Sequence, residues 1–332
     1  MKIATVIVAT KSYLDPLEVC LRRVKTSISK VNRSAHKLFI VTDKESVSWF
    51  EGKCNWIDLE IIPVDMQESG KHYDKERQIL IASLQSTGFD AAREWGCDLL
   101  WSVEADVLVP PNALTTSMQM LDFDDHYYDV AFVTYPSQGG GSFLGGHGDY
   151  RHNIADCYKI EEREVPAKLM LLHDECKKRL DEKPVQKETE RWKRIQKKLK
   201  ECPPKGNVFE LNAKKWRRRG WLDNSHPGIG RGAVIETDWT GLGCTLMSRR
   251  AAELAHFDGY DGGGTQDLYL NWHKWHPAGM RFCCITHTIC DHVVRKKGSD
   301  NEYEILKAYH EPDGETRGHL RYARKPFNKF TS

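Results

Sequence analysis

Short apolar runs alternate with amphipathic stretches through the N-terminal third of the chain: TVIVA at 5–9, LEVCLRRVKTSI at 17–28, KLFIVTD at 37–43, ERQILIASLQSTGFDAAREW at 76–95 and CDLLWSVEAD at 97–106. The runs rich in β-branched residues read as buried strands and the stretches between them as helices. The pattern therefore predicts βαβ units around a mainly parallel sheet, an α/β architecture of the Rossmann-like kind. Further strands are expected at DVAFVTYP (129–136), GCTLMS (243–248) and MRFCCITH (280–287), and helices at AAELAHF (251–257) and QDLYLNWHKWH (266–276). The opening MKIATVIVAT, interrupted by Lys11 and Asp15, reads as the first strand and not as a signal peptide. No stretch approaches the roughly 20 apolar residues of a membrane-spanning helix.

The rhythm breaks between residues 158 and 220, where a basic helical insertion is expected within a domain covering 1–300. Its core, Cys176–Arg219, holds 17 Lys or Arg against 6 Asp or Glu, a formal +11 in a chain whose total is +2, so the remainder carries −9. Such asymmetry marks either an arm that meets an anionic partner or a solvated helix pair. Pro184, Pro203 and Pro204 punctuate it as two helices and a turn. Anionic lipid or glycan is one partner for such a surface, through a peripheral membrane contact in the lipid case. Nucleic acid is another, since phosphate contacts need only Lys and Arg, while Trp192, Trp216 and Trp221 stack on bases or pack on the helices. Residues 301–332, polar and basic, are expected as a C-terminal surface extension.

With 332 residues, 40% hydrophobic and 29% charged, whole-chain disorder is excluded. Ten cysteines without any CxxC spacing point to reduced thiols in a cytoplasmic setting. A zinc site built from Cys283, Cys284, Cys290 and neighbouring histidines is the competing reading.

The chemistry concentrates in LLWSVEADVLVPPNAL (99–114). Carboxylates at alternate strand positions share a face, so Glu104 and Asp106 present two hard oxygen ligands where the chain turns, a pairing suited to Mg²⁺ or Mn²⁺ at a diphosphate. An exposed strand-end pair is the plain alternative. Further on, Gly262-Gly263-Gly264 precede Asp267 at the start of a helix, whose N-terminus favours an ionised carboxylate able to take a proton from a hydroxyl. Helix capping by Thr265 or Asp267 accounts for the same pattern. The glycine-rich stretch 137–150 lacks the Gly-Lys-Ser/Thr ending of a phosphate-binding P-loop and is expected as a mobile loop near the site, as is the run from His226 to Gly232.

Outside the basic arm the chain resembles the GT-A glycosyltransferases, above all the large inverting family 2. The resemblance is carried by Ala9 and Thr10, by Val41-Thr42-Asp43, by Lys71 and Arg77 ahead of a long amphipathic helix, and by Glu104-Ala105-Asp106 in the place of the family's D-x-D element. Residues 240–282 are similar to the acceptor half, with Phe257-Asp258-Gly259 at its turn and Gln266-Asp267 where the family has an E-D pair. The resemblance implies a nucleotide-sugar donor, a UDP-sugar first of all. Thr10, Asp43, Lys71, Arg77, Glu104 and Asp106 would bind it, and Glu104, Asp106 and His292 would hold Mn²⁺ or Mg²⁺. It also implies Asp267 as the base of an inverting displacement; His287, a lone histidine in the late strand, is read as structural. The acceptor is then a carbohydrate or glycoconjugate hydroxyl, or a modified DNA base reached through the arm. A nucleotidyltransferase shares the same sheet and carboxylate logic, and a noncatalytic nucleic-acid or membrane adaptor is the reading from outside enzymology.

Overall fold

The computed structural model describes residues 1–32, 34–65, 75–121, 128–136, 142–147, 220–223, 234–286, 288–296, 302–310 and 320–326. The apolar runs of the N-terminal third become strands β1 (Lys2–Ala9), β2 (Ala35–Asp43) and β4 (Leu99–Glu104), and the amphipathic stretches become helices α1 (Leu14–Ile28) and α2 (Lys75–Glu94). Between β2 and α2 lies a further strand, β3 (Asp58–Val64), whose half-polar sequence DLEIIPV gave no clear run. Alternation along β1 sends Ile3, Ile7 and Ala9 to one face of the sheet and Ala4 and Val6 to the other. Helix α1 covers the first face with Leu17, Cys20, Leu21, Val24 and Ile28, a helical spacing that explains its amphipathic sequence. Helix α2 covers the second with Ala82, Phe89 and Ala92. At Gly88 an added Cβ would lie 2.5 Å from Val6 Cγ1 and 3.0 Å from Val41 Cγ2, so the missing side chain is what lets this helix sit so close to β1 and β2.

The remaining elements are β5 (Val107–Leu108), α3 (Ala113–Leu121), β6 (Val130–Val133), β7 (Ser142–His147), β8 (Gly220–Asp223), β9 (Val234–Thr237) and β10 (Cys244–Ser248). They continue with α4 (Arg249–Glu253), α5 (Gln266–Tyr269) running into a π-helical turn at Leu270–Trp275, β11 (Phe282–Ile285), β12 (Asp291–Arg295), β13 (Tyr303–His310) and β14 (Leu320–Pro326). Eight strands form the central sheet in the order β3-β2-β1-β4-β10-β6-β11-β9. Strands β3, β2, β1 and β4 are mutually parallel, and β10 and β9 run against their neighbours. The chain steps outward from β1 to β3 and then returns to lay β4 on the other side of β1. This makes the β1–β4 boundary a topological switch point, where α/β sheets open a crevice beyond the C-terminal ends of their strands.

A second sheet, in the order β14-β13-β12-β5, is antiparallel throughout. Two of its strands, β13 and β14, come from the segment expected as a surface extension. Leu306 of β13 is buried, and the polar alternation of YEILKAYH fits a strand with one covered face. β7 and β8 pair with each other as a two-stranded sheet.

By compactness the chain divides into Met1–Gly145 with Leu222–Ser332, and Gly146–Trp221. The basic arm expected at 158–220, apart from Gly220, lies outside the described residues, as do Lys71, His287 and the run from His226 to Gly232. Among the described residues no helix is long and apolar enough to cross a membrane. The cysteines at 20, 54, 97, 244, 283, 284 and 290 are buried free thiols, and burial pushes those of Cys283, Cys284 and Cys290 up, as expected of packing residues.

Candidate active site

Strand register brings the candidate residues together. Val8 of β1 lies opposite Glu104 of β4, and Ala9 lies opposite Thr42 of β2, so Thr10, Asp43 and Glu104 all fall at the C-terminal edge of the sheet. Immediately after β4 the chain enters β5, and β12 pairs with it so that His292 faces Val107. The Val293 amide donates to the Asp106 carbonyl at 2.8 Å, which fixes that register beside the carboxylates. A histidine nearly two hundred positions away in sequence is thereby delivered to Asp106, with Nε2 at 3.7 Å from Oδ2 and side chains only 5% and 13% exposed.

The other imidazole nitrogen, Nδ1, lies 2.7 Å from the carbonyl of Pro136. A carbonyl only accepts, so Nδ1 carries the hydrogen, and the neutral ring turns the lone pair of Nε2 toward the Asp106 carboxylate. Two acceptors facing one another call for a proton or a cation between them. Burial alone would lower the His292 pKa, but Asp106, the Pro136 carbonyl and Glu104 outweigh it and the net shift is upward.

Glu104 is under opposite pressure. Burial first and Asp106 second raise its pKa to about 7; Asp267 adds to the rise, and His292 and the Tyr135 hydroxyl oppose it. The Tyr135 hydroxyl donates to Glu104 Oε2 at 3.0 Å, and the Tyr135 ring stands edge-on to His292 with centroids 5.2 Å apart. On the far side of this pair is Gly243, where an added Cβ would sit 2.3 Å from Tyr135 Oη and 2.7 Å from Glu104 Oε2. The glycine also accepts from the Glu104 amide through its carbonyl at 3.0 Å. Gly243 is therefore required sterically: a Cβ would occupy the space where the glutamate and the tyrosine meet.

Two carboxylates and an imidazole in a partly desolvated pocket suit Mg²⁺ or Mn²⁺, and the raised Glu104 and the facing acceptors of Asp106 and His292 are what positive charge there would relieve. Among the described residues no three His, Cys, Asp or Glu side chains already converge tightly enough to enclose an ion by themselves. The donor set thus fits by chemistry, with the Asp106–His292 pair as its nearest approach to a site.

A cationic rim adjoins the acidic pocket. Burial and Asp106 push the Tyr13 hydroxyl up to about 12, while Arg295 and Arg77 pull in the other direction, so both guanidinium groups act at the same hydroxyl as Asp106. Arg295 lies over the Tyr13 ring at 5.4 Å, and the Tyr303 hydroxyl donates to the Ser12 carbonyl at 2.5 Å, tying β13 to the loop after β1. Arg77, expected ahead of the long helix, lies within the first turn of α2.

Thr10 and Asp43 lie at the crevice edge, but their polar atoms have local partners. Asp43 caps the 3-10 segment Lys44–Phe50, accepting from the Ser46 amide at 2.9 Å and from its hydroxyl, and its Oδ2 accepts from the Lys11 amide at 2.9 Å. The Thr10 hydroxyl bonds the Ser12 hydroxyl at 2.9 Å. These bonds fix the loop after β1 against the end of β2.

Asp267 belongs to the same neighbourhood, since its charge acts on Glu104, Tyr135 and Tyr260. Thr265 stands at the N-cap of α5 without a side-chain capping bond, and Asp267 sits in the first turn, where its Oδ1 accepts from the Leu268 amide at 2.8 Å and from the Thr265 hydroxyl. Gly262 and Gly264 hold φ of 78° and 82°, and at Gly262 a Cβ would come within 2.7 Å of the Lys75 carbonyl, so the glycine run is needed to turn the chain against the start of α2.

Sequence reasoning missed Tyr13, Tyr135, Gly243 and Arg295. The signals were faint: a tyrosine closing the strand DVAFVTYP, a glycine inside an already glycine-rich turn, and an arginine three residues beyond His292.

No family model matches the chain, and no curated protein matches it. Among solved structures it is similar to GalNAc-T7 in complex with UDP, GalNAc and Mn²⁺, at 14% identity and a TM-score of 0.50, over 90% of this chain and 45% of that one. It is also similar to A197 from STIV (10% identity, TM-score 0.41, 91% and 89% covered) and to S. aureus TarS 1-349 in complex with UDP-GlcNAc (14% identity, TM-score 0.31, 42% and 36% covered). The chain thus spans less than half the length of the GalNAc-T7 and TarS chains it matches. The likeness to GalNAc-T7 shows a common fold: this is an α/β chain of the GT-A type, with a large, mostly parallel sheet flanked by helices.

Proposed function

We propose that the protein is a glycosyltransferase that moves a sugar from a nucleotide-sugar donor, a UDP-sugar first of all, to a hydroxyl of a carbohydrate or glycoconjugate, with inversion as in the family 2 enzymes. The observation that carries this reading is the acidic pair Glu104 and Asp106, half-buried at the switch point with His292 at 3.7 Å from Asp106. The GT-A fold, shared with a protein whose structure holds UDP, GalNAc and Mn²⁺, supports it.

Asp106 and His292, with Glu104 beside them, would hold a divalent cation, Mn²⁺ or Mg²⁺. Bound there, such an ion neutralises the diphosphate as the nucleotide departs. Arg77 and Arg295 supply two guanidinium groups on the Tyr13 side of the pocket, where they would meet the remaining phosphate charge. Tyr135 fixes the Glu104 carboxylate by its hydrogen bond and shields it from water. Asp267, on the acceptor side, takes the hydroxyl proton as the acceptor oxygen bonds to the anomeric carbon. The bond from that carbon to the phosphate oxygen breaks at the same time, and its electron pair leaves with the nucleoside diphosphate. Thr10 and Asp43 border the end of the crevice where the nucleoside would rest, and Lys71 is the further donor-binding residue of this reading.

The test is incubation with Mn²⁺ and a panel of nucleotide sugars, followed by quantification of free nucleoside diphosphate. Slow release from one donor, abolished in Asp106→Ala, is expected. Pyrophosphate formed from a nucleoside triphosphate would instead identify a nucleotidyltransferase, and no turnover of any donor would leave only an adaptor.

A further inference from the structure

The amide of Asn271 has no exposed surface, and its hydrogen bonds run to two different parts of the chain. Nδ2 donates to the carbonyl of Asp267 at 2.6 Å and to the carbonyl of Thr240 at 2.9 Å, while Oδ1 accepts from the Thr240 amide at 3.2 Å. Both donors and the acceptor of one primary amide are thus in use. Only asparagine offers that set at this reach: aspartate would set a carboxylate against two carbonyls, and leucine would strip the buried Thr240 amide and carbonyl of this partner and leave the Asp267 carbonyl with the Leu270 amide alone.

What the amide joins is significant. Asp267 is the acceptor-side carboxylate, and Thr240 begins the strap Thr240–Gly243. That strap folds on itself through the Thr240 and Thr245 hydroxyls, both of which donate to the Gly241 carbonyl, at 2.8 and 2.5 Å. It ends at Gly243, which accepts from the Glu104 amide and packs against Tyr135 and the Glu104 carboxylate. Asn271 is therefore the link in a continuous path from Asp267 to Glu104. The rest of the helical turn is held separately, by Trp275 Nε1 donating to the Ala251 carbonyl at 3.0 Å and by His276 Nε2 bonding the Asp238 carbonyl. Loss of the Asn271 amide would accordingly loosen the end that carries Asp267 and leave the turn docked.

We propose that Asn271 is a positioning residue that sets the distance between the Asp267 carboxylate and the Glu104–Asp106 pocket by clamping the Asp267 peptide to the Thr240 strap. In its catalytic consequence this rests on the transferase reading above. A displacement of about 1 Å at a reacting group lowers turnover by about 100-fold, so kcat is the quantity that moves. Donor affinity is not, since the donor is met by Asp106, His292 and the two arginines.

The experiment uses the full chain and two variants, Asn271→Asp and Asn271→Ser, the second adding no buried charge should the first fail to fold. Nucleoside diphosphate release gives kcat and the donor KM, and amide hydrogen exchange is followed at Thr240 and Leu268, with the amides of β1 as the internal reference. Expected are a kcat lower by about 10- to 100-fold with donor KM unchanged, and faster exchange at Thr240 and Leu268 while β1 keeps its protection. A folded variant with wild-type kcat, or with Thr240 exchange unaltered, overturns the clamp, as does a loss of protection spread evenly into β1. If the wild type turns over no donor, the transferase reading falls while the exchange at Thr240 and Leu268 still decides whether the clamp exists.

Discussion

Replacing Glu104 by glutamine tests the electrostatics of the pocket without emptying it. The amide keeps the shape of the carboxylate and can still accept from the Tyr135 hydroxyl. In the wild type, burial and Asp106 move the Glu104 pKa from its ordinary value of 4.5 to about 7. Between those values the folded protein holds a proton that the unfolded chain has released, so unfolding free energy falls as pH rises through that window. At about 1.4 kcal/mol per pH unit, the shift corresponds to ~3 kcal/mol lost once pH exceeds 7. His292, with a raised pKa, adds a decline of the same sign, but it is present in both proteins and largely cancels from their difference. Urea unfolding in EDTA at about pH 4 and about pH 8 is the assay. Glu104→Gln is expected to match the wild type at the lower pH and to exceed it by up to ~3 kcal/mol at the higher one. A difference that does not grow with pH would mean that Glu104 is solvated, and the pocket as described would be wrong.

Gly243→Ala would drive a Cβ into Tyr135 and Glu104, and overpacking of this kind lowers stability by about 1–3 kcal/mol, readable as a reduced urea midpoint. Mn²⁺ is expected to stabilise the wild type by about 2.7 kcal/mol at a hundredfold excess over its dissociation constant, measured by thermal unfolding, and to leave His292→Ala and Asp106→Ala where they were. Asp43→Ala removes the cap of the segment after β2 and should cost about 1 kcal/mol in denaturant unfolding, read as a lowered urea midpoint.

Period alone made the parallel half of the sheet legible. Five-residue runs such as TVIVA can only be buried on both faces, and the stretches between them have one apolar stripe each, so β1, α1, β2, α2 and β4 follow from local pattern. The pair Glu104 and Asp106 stood out locally as alternate carboxylates where a strand ends, but its assignment to a metal came from the resemblance to the GT-A enzymes. Arg77 and Asp267 came from the resemblance to the GT-A enzymes, and the structure adds where they lie: Arg77 within the first turn of α2, and Asp267 in the first turn of α5 with its charge felt at Glu104.

Other features had no local signature. Strand β3 mixes polar and apolar residues, and β13 and β14 are too polar to read as buried; their status comes from pairing, β3 with β2, β13 with β12 and β14 with β13. That His292 faces Asp106, and that Gly243 must be glycine, are facts of register between strands far apart in sequence. Hydrophobic period fixes which face of an element is buried, because burial depends on each residue and its near neighbours along the chain. It does not fix which strand lies beside which, because that is decided by the packing of all the elements at once, and the pocket is assembled from those long-range pairings.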